Sequence, residues 1–559
     1  MPRSPSAAND ALLALLFALV MNALNLFEPL TVDDVCHRYY AAQVARDPLH
    51  PFEFELEWHQ KPVPAWDVMV APVTSYWWAP AVAAFGDSPV AWKAWFLPFQ
   101  WLLCWSLLRL LRRHLRRHAA ALTAAIVLGP AVLPGANLML EVPLLALGFA
   151  SLLALERACE RRAAGFAALA GLLLGLALQT KYSAMGFFAP LLLLAALRRS
   201  WRELALAVAM ALAVALAIEG LLALSHGGGS YFWRQLELTQ RRHWSALVRG
   251  MVMHVGVLGL PAALLVLVGL RAPALTRWLL LLVHVLGYTL VALVPDSDER
   301  SLQDAAPDSL AYLAMALATW GTLGYALAGM LRTAVLRWRD GTLSRSVAAR
   351  AFLVAWVAAE LATSFVVSPF PAARRSLLVV VALTVAAGWL AVRRAGAAKA
   401  IRQIAAGAVV LGVGFQGIDL LEGRACVDAA ERAAAFARAQ DPRAAQWFTG
   451  GWGFEYYAPR AGMRPLLRGR SQVAAGDWIA IGSIDGAEEP WFHWSGKLDF
   501  VTEIGAGDAV PWSLLFGYYS GRRPIEGQAG DRFVVWLYRA KAAFHASELP
   551  ARVNPWRDH

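Results

Sequence analysis

Residues 203–224 read ELALAVAMALAVALAIEGLLAL, an apolar run whose charged residues are Glu203 and Glu219. A helix of about 20 apolar residues crosses the hydrocarbon core of a bilayer. The run therefore predicts a membrane-spanning helix. Twelve further candidates lie near 11–30, 90–111, 119–136, 142–156, 163–180, 183–197, 251–270, 277–295, 309–331, 347–368, 375–392 and 401–420. The chain is thus predicted to be an all-α polytopic membrane bundle with about thirteen spans.

The composition agrees with this prediction. Of the 559 residues, 58% are hydrophobic and 16% are charged, and the mean hydropathy is +0.47. Soluble domains usually contain about 25% charged and 45–50% apolar residues. These values exclude a disordered, collagenous or ordinary soluble protein. In a soluble protein the net charge of +11 would suggest a nucleic-acid partner, so the positions of the charges must decide.

The basic residues gather in every second connection between the predicted spans. These connections lie at 112–117, 157–162, 198–202, 271–277, 332–339 and 393–402. Short loops rich in Lys and Arg stay in the cytoplasm, so the N-terminus is predicted to be cytoplasmic and the C-terminus to lie outside. The first span lacks a clear cleavage site and is interpreted as a retained anchor. The basic excess then reflects orientation, which argues against a nucleic-acid partner.

Long apolar runs stop after about residue 421, and the composition changes. Short β-rich stretches follow at 446–449, 478–484 and 533–538, separated by turns rich in Gly, Pro and Asp. Residues 1–420 are therefore predicted to form the membrane module, and 421–559 a small outer α/β domain. No internal repeat is visible, so a transporter built on inverted repeats has no support.

The four cysteines are too few for a disulfide scaffold, and no C-x-x-C pair occurs. Cys36 and Cys426 would both face outward in the predicted topology. They could pair there, although two separate thiols are the preferred interpretation.

The first outer loop, residues 31–89, is the longest connection between predicted spans, and loops this long are usually functional. It opens with Asp33 and Asp34 directly after the first span. Two adjacent carboxylates at a membrane surface could act as a general base and orient a substrate. Alternatively, Thr31-x-x-Asp34 fits a capping box at the start of a short helix. The two interpretations are compatible, since Asp34 can cap while Asp33 reacts.

Two further outer junctions carry charges. Glu141 lies in Met139-Leu-Glu-Val-Pro-Leu144, where it is costly unless paired or hydrated, although it could simply open a helix. Lys181 lies in Gln179-Thr-Lys-Tyr182-Ser and breaks the positive-inside pattern. This lysine could pair with Asp33 or Glu141, bind a phosphate, or only extend its amine to the interface.

Arg374 and Arg375 occupy another outer junction, Pro369-Phe-Pro-Ala-Ala-Arg-Arg375. Arginine binds phosphate oxygens bidentately, although Arg375 could merely anchor a helix end. The outer loop after the seventh span adds Arg241, Arg242 and His243. A basic rim beside acidic residues suits a substrate that carries both phosphate and hydroxyl groups.

Four ionisable residues fall within or at the edges of spans, namely Glu219, Glu360, His254 and His284. Such residues are candidates for function or for interhelical hydrogen bonds. The sequence contains no metal-spaced His/Cys cluster, no phosphate-binding glycine loop and no dinucleotide fingerprint. No cofactor is therefore required by the sequence, although carboxylates near a phosphate could hold a divalent metal ion.

The order and sidedness of these motifs resemble the bacterial branch of the dolichyl-phosphate-mannose–protein mannosyltransferase-like proteins. That branch belongs to the GT-C membrane glycosyltransferases, which include the aminoarabinose transferase that acts on lipid A. The resembling stretches are Asp33-Asp34, Asp47–Phe52, Met139–Leu144, Leu178–Tyr182, Ser368–Arg374 and Gly451–Tyr457.

The resemblance implies an inverting transfer of a sugar from a polyprenyl phosphate to an acceptor hydroxyl in the cell envelope. The acceptor would be a glycan, a lipid or a protein, on the periplasmic face of a bacterial inner membrane. Asp33 would match the catalytic base, and Asp34 would orient it or the acceptor. Glu141 would match a second acidic position. Lys181, Arg374 and Arg375 would bind the donor phosphate. Other substrate groups would contact Tyr182, Arg241, Arg242 and His243.

Two departures affect positions that would set donor and acceptor specificity. Ala71-Pro-Val-Thr-Ser-Tyr76 replaces a charged residue or Asn before Pro-Pro, and Ala373-Arg-Arg375 replaces Ala-Arg-Tyr. Two other functions remain open, a flippase for a lipid-linked glycan and a non-catalytic envelope assembly protein. The latter predicts that Asp33, Glu141 and Lys181 do not converge.

Overall fold

The structure is a computed structural model. It describes residues 7–58, 61–68, 71–240, 244–293, 307–342, 344–451, 453–483, 496–507, 510–514, 518–519, 521, 523–528 and 530–548.

The helices of the first half are α1 (Ala7–Leu26), α2 (Asp33–Arg46), α3 (Ala65–Val68), α4 (Pro72–Phe85), α5 (Pro89–Trp95), α6 (Leu97–Leu115), α7 (Ala119–Val127), α8 (Glu141–Arg161), α9 (Ala164–Leu178) and α10 (Phe188–Arg198). Those of the second half are α11 (Trp201–Ser225), α12 (Tyr231–Gln240), α13 (Trp244–Leu258), α14 (Leu260–Gly269), α15 (Ala274–Leu293), α16 (Pro307–Arg339), α17 (Arg345–Val367), α18 (Leu377–Ala391), α19 (Ala398–Gln440) and α20 (Gly453–Arg460).

The strands are β1 (Glu55–Trp58), β2 (Lys61–Pro64), β3 (Gln446–Thr449), β4 (Arg464–Pro465), β5 (Gln472–Val473), β6 (Trp478–Gly482), β7 (Leu498–Ala506), β8 (Trp512–Ser513), β9 (Glu526–Gly527), β10 (Phe533–Ala540) and β11 (Phe544–His545).

In the described part of the chain, nine helical segments are long and apolar enough to cross a membrane. The pair α13 and α14, bent by 63° at Gly259, makes a tenth if it is one span. Two shorter apolar helices, Ala164–Leu178 and Tyr182–Arg198, match the predicted spans 163–180 and 183–197. With these two, the described residues contain up to twelve apolar helical segments, close to the predicted number of about thirteen. The fold class is confirmed: a polytopic helical bundle with a C-terminal α/β region.

The predicted span 119–136 shows why the number differs. Its helix, α7, ends at Val127, and turns around Gly129-Pro130 and Pro134-Gly135 follow. Proline lacks the backbone donor that a helix interior needs, and glycine is a poor helix former. Only nine residues are helical, which is too few to cross a bilayer.

Helix α8 lies at the centre of the bundle. The most apolar 18-residue stretch of α8 is 94% buried, whereas that of α11 is only 11% buried. Helix α8 packs between α6 and α9, and α11 covers the far side of α9. The first residue of α8 is Glu141, so the bundle centre begins with a carboxylate at one end. The 203–224 run that predicts the fold lies on the periphery.

Helix α19 joins the bundle to the C-terminal sheet. It continues for 43 residues, about 65 Å, through the predicted boundary at residue 421. Its second half presents a stripe of buried alanines at 425, 429, 430, 433, 434 and 437, against which the sheet packs. The sheet has the order β4-β3-β6-β10-β7, with β3 parallel to β4 and β6 and the remaining pairs antiparallel. Its strands β3, β6 and β10 match the three predicted strands.

The first outer loop folds into helices α2 to α5 and the β1–β2 hairpin, with α2 packed on α4. It brings its charged residues back onto the bundle. All four cysteines are buried and free, so Cys36 and Cys426 are separate thiols.

Candidate active site

Asp33 is the first residue of α2, and the turn before it is unusual. Val32, which precedes the helix, has φ 46°. This conformation is rare for a β-branched residue and persists only where neighbours enforce it. Two such contacts exist: the Leu30 amide donates to Tyr457 Oη over 2.7 Å, and the Thr31 amide donates to Asp34 Oδ2 over 3.2 Å. The outer domain therefore helps to fix the start of α2.

Asp33 forms an ion pair with Arg374, which precedes α18. The distance from Arg374 Nη1 to Asp33 Oδ2 is 2.7 Å. Burial alone would raise the pKa of Asp33, but the Arg374 guanidinium outweighs burial and holds the pKa below its usual value. Asp33 is therefore charged at neutral pH and remains 28% exposed.

Asp34 faces the protein interior and is fully buried. Burial raises its pKa from 3.8 to about 7, although the Lys93 ammonium opposes the shift. Its bond to the Thr31 amide is one half of the predicted capping box. The other half is missing, because Thr31 Oγ1 has no hydrogen-bond partner among the described residues. The two neighbouring acids thus differ: Asp33 is partly exposed and paired with a cation, whereas Asp34 is fully buried.

Glu141 and Lys181 form a second ion pair. Burial lowers the pKa of Lys181 to about 8, while Glu141 opposes that shift. Of the two acidic partners that the sequence left open for Lys181, Asp33 and Glu141, the structure shows Glu141. Glu141 Oε2 has no partner in the described structure, so this carboxylate keeps a free acceptor.

One cavity brings the two pairs together. Its charged lining comprises Glu141, Lys181, Glu360, Arg374 and Arg375. Ser183, Thr363 and Ser364 add hydroxyls, and Leu144, Leu145, Leu377 and Leu378 form an apolar wall. The helices α8 and α18 both begin here, so their positive ends add to the field of the cations. Glu141, Lys181 and Arg374 line the cavity, and Asp33 adjoins it through its ion pair with Arg374.

Arg375 differs from Arg374 in its contacts. Its guanidinium lies over the Phe370 ring, 4.1 Å from the centroid. Its Nε has no hydrogen-bond partner among the described residues. Arg375 thus lines the cavity with an Nε that has no hydrogen-bond partner in the described structure. Arg374, in contrast, is already bonded to Asp33 and to the Tyr519 carbonyl.

Tyr182, predicted to contact substrate, does not line this cavity. Its hydroxyl donates to Glu219 Oε1 over 2.8 Å, and its ring stacks on Tyr231. Ser230 Oγ and Gln179 Nε2 also donate to Glu219, at 3.0 and 3.1 Å. Tyr182 and Glu219 therefore form a hydrogen-bonded cluster beside the site. Arg241, Arg242 and His243 lie outside the described residues.

His37 lies one helical turn after Asp33 and was not anticipated. It is 3% exposed, and burial lowers its pKa to about 4, so the ring is neutral. Its Nδ1 has no partner in the described part of the chain. The i, i+4 spacing on one helix is the signal that could have identified it.

Tyr519 from the C-terminal region also belongs to the site. Its carbonyl accepts from Arg374 Nε over 2.9 Å, and its hydroxyl donates to Asp419 Oδ2 over 2.5 Å. Arg374 is thus held between Asp33 and a segment 145 residues away in sequence. Nothing in the sequence around Tyr519 indicates this contact.

A buried polar cluster is centred on Lys93, whose ammonium also acts on the nearby Asp34. Lys93 Nζ donates to the Glu28 carbonyl at 2.7 Å, to Asn25 Oδ1 at 3.0 Å and to Asn137 Oδ1 at 2.8 Å. Glu28 in turn accepts from Asn137 Nδ2 over 2.9 Å. Lys93 was missed although it lies within a predicted span, where a cation is a signal for function or pairing.

The described residues contain one group of side chains close enough to hold a metal ion: Asp47, His50 and Glu53, whose ligand atoms lie within 4.8 Å of one another. These residues are at least partly exposed and line no part of the cavity. Asp33 and Glu141 do not belong to this group.

No protein-family model matches the chain, and no curated protein matches it. A solved structure that it resembles is that of ArnT from Cupriavidus metallidurans in the apo state. The TM-score is 0.39 and the identity 14%, over 98% of this chain and 100% of that one.

Proposed function

We propose that this protein is an inverting GT-C glycosyltransferase, which moves a sugar from a polyprenyl phosphate to a hydroxyl of a cell-envelope acceptor. The observation that carries the proposal is the Asp33–Arg374 ion pair of 2.7 Å beside a cavity that also holds Lys181 and Arg375. An exposed carboxylate provides a base, and fixed cations receive a phosphate. The bundle around them is apolar, as a lipid-linked donor requires.

In the proposed reaction, the acceptor oxygen forms a bond to the anomeric carbon of the sugar. The bond from that carbon to the phosphate oxygen breaks, and its electron pair leaves with the phosphate. The acceptor proton passes to the Asp33 carboxylate. Attack from the face opposite the phosphate inverts the anomeric centre. The leaving group gains one negative charge, which Lys181, Arg374 and Arg375 stabilise.

Arg374 would change partners during this cycle. Without donor it neutralises Asp33, which keeps the pKa of that carboxyl low. A donor phosphate competes for the same guanidinium, since charge-assisted hydrogen bonds to phosphate are strong. Loss of its counterion raises the pKa of Asp33 and makes it a better base. Donor binding would thus switch on the base.

The cations that line the cavity also indicate whether the reaction needs a metal ion. Three positive side chains line the cavity, and they supply the kind of charge stabilisation that a divalent ion supplies in other phosphate sites. We therefore propose that transfer needs no metal ion. The partners would be the polyprenyl-phosphate sugar, membrane lipid and an envelope acceptor at the periplasmic face of a bacterial inner membrane.

The test is a transfer assay with purified protein in lipid vesicles, supplied with a panel of radiolabelled polyprenyl-phosphate sugars and an envelope extract as acceptor. We expect a new, inverted glycosidic bond with the wild-type protein, in the presence of EDTA as well. Movement of labelled lipid across the vesicle bilayer without a new bond would instead identify a flippase. Absence of both would contradict the proposal.

A further inference from the structure

Glu360 is a buried carboxylate that lines the cavity and has a free acceptor. It lies in α17 and is 1% exposed. Trp356 Nε1 donates to Glu360 Oε1 over 2.9 Å. Glu360 Oε2 has no hydrogen-bond partner in the described structure. Burying an unpaired carboxylate oxygen is costly, so a donor group that completes its hydrogen bonding would bind favourably.

A neighbouring glycine makes room for that oxygen beside the cavity that Glu360 lines. Gly186 lies against this oxygen, and a Cβ at residue 186 would stand 2.1 Å from Glu360 Oε2. A side chain there would displace the carboxylate, because real Cβ atoms do not approach so closely. The absence of a side chain at Gly186 therefore permits the observed position of Glu360.

The other intramembrane candidates differ from Glu360 in this respect. Glu219 accepts hydrogen bonds on both of its carboxylate oxygens. His254 Nε2 bonds to the Gly521 carbonyl, and both ring nitrogens of His284 bond to backbone carbonyls. These three are satisfied by the protein. Of these four intramembrane residues, Glu360 is the one with a buried side-chain atom that has no hydrogen-bond partner among the described residues.

Glu360 and the phosphate-binding cations reach the cavity from different elements. Glu360 lies seven residues before the end of α17, which is about 10 Å along the helix axis. Arg374 and Arg375 instead precede α18, and Lys181 precedes the short 3₁₀ helix Tyr182–Phe187. Thr363 and Ser364 add hydroxyls beside Glu360, with leucines on the facing wall. Hydroxyls, a carboxylate and an apolar face are the groups that bind a sugar ring.

We infer that Glu360 selects the sugar of the donor: its free oxygen accepts a hydrogen bond from a hydroxyl or amino group remote from the anomeric carbon, so that an acidic sugar is rejected. This inference rests on the proposed function, which places the anomeric phosphate at Lys181, Arg374 and Arg375. A uronic acid would bring a second carboxylate against Glu360, and like charges in a buried site repel.

The experiment compares the affinity of the purified protein for bare polyprenyl monophosphate with its affinity for the same lipid carrying a neutral hexose, an amino sugar or a uronic acid. With the wild-type protein, we expect the neutral or the amino sugar to bind about 10- to 100-fold more tightly than the bare lipid, as one hydrogen bond to a charged group allows. The uronic acid should bring no gain. Glu360→Ala should abolish the gain, so that within this variant the sugar-bearing lipids bind no more tightly than the bare lipid.

Gly186→Ala is a second variant, since it displaces the carboxylate without removing it. It should reduce the gain in the same way. Gly220→Ala is the matched control, because a Cβ at Gly220 meets no atom within 4 Å, and it should retain wild-type binding. Glu360→Gln keeps an acceptor for Trp356, adds a donor and removes the charge, and should let the uronic acid bind.

The inference is overturned if the sugar brings no affinity to the wild-type protein, if the gain survives in Glu360→Ala, or if the uronic acid binds as well as the neutral sugar. A loss of bare-lipid binding in Glu360→Ala would also overturn it, since Glu360 would then support the phosphate site. Failure of the proposed function is distinguishable, because the wild-type protein would then not bind bare polyprenyl monophosphate at all.

Discussion

Arg374 approaches Asp33 to 2.7 Å, although the two residues lie at the starts of different helices and 341 positions apart. Asp33 begins α2 of the first outer loop, and Arg374 stands directly before α18. The pair joins the outer loop to the cavity at the bundle end. Four predictions test the roles that this arrangement suggests.

Asp33→Asn should lower transfer about 100- to 10,000-fold, the range expected for loss of a general base. Asparagine keeps the shape but cannot take the acceptor proton. The measurement is initial transfer rate in vesicles, with thermal unfolding as the control for folding. Turnover close to the wild-type rate would remove Asp33 from the mechanism.

Arg375→Ala should weaken binding of bare polyprenyl monophosphate about 10- to 100-fold, because one charge-assisted hydrogen bond is lost. Little stability should be lost, since the described contact of its guanidinium is the face of Phe370. Arg249→Ala is the control, as Arg249 is exposed on α13 and lines no part of the cavity. Equal binding by both variants would show that Arg375 does not contact the phosphate.

Binding of polyprenyl monophosphate should weaken as the pH rises through the pKa of Lys181. That pKa is lowered to about 8, so the ammonium is charged below this pH and neutral above it. Titration of affinity between pH 6.5 and 9.5 measures the effect. Lys181→Arg should bind equally across the range, because arginine stays charged. An alkaline loss that persists in this variant would assign it to another group.

Asp34→Asn should stabilise the protein at neutral and higher pH. The folded-state pKa of Asp34 is about 7 against an ordinary value of 3.8, so its contribution to stability is present below pH 3.8 and lost as the pH rises through 7. The difference of about 3 units corresponds to at most about 4 kcal/mol. Unfolding midpoints of the two proteins should agree near pH 4 and diverge up to pH 7. A constant difference would contradict this account.

The structure reproduces the predicted helices and strands whose sequence pattern lies within a single stretch of the chain. The apolar runs form helices because a backbone in lipid must satisfy its own hydrogen bonds. The strands β3, β6 and β10 occur where β-rich stretches lie between turn residues. Prediction was weaker where proline and glycine stop a helix within an apolar run, as after Val127.

Among the candidate site residues, local patterns could indicate function but not partners. Lys181 could have paired with Asp33 or Glu141, and the structure pairs it with Glu141. Arg374 and Arg375 are adjacent in sequence, yet one is bonded to Asp33 and Tyr519 while the other keeps an unpaired Nε. Glu219 and Glu360 were equivalent as intramembrane acids, and only their neighbours distinguish them.

Hydrophobicity and turn chemistry act over short stretches of chain. The sequence was therefore enough to locate the membrane helices, the C-terminal strands and the charged residues that needed explanation. The tertiary structure alone decided which charges meet. Those contacts depend on how distant helices pack and on which polar atoms find a partner in the interior, as Tyr519 does with Arg374 and as Glu360 Oε2 does not. Such pairings follow from packing geometry across the whole bundle, which no single segment encodes.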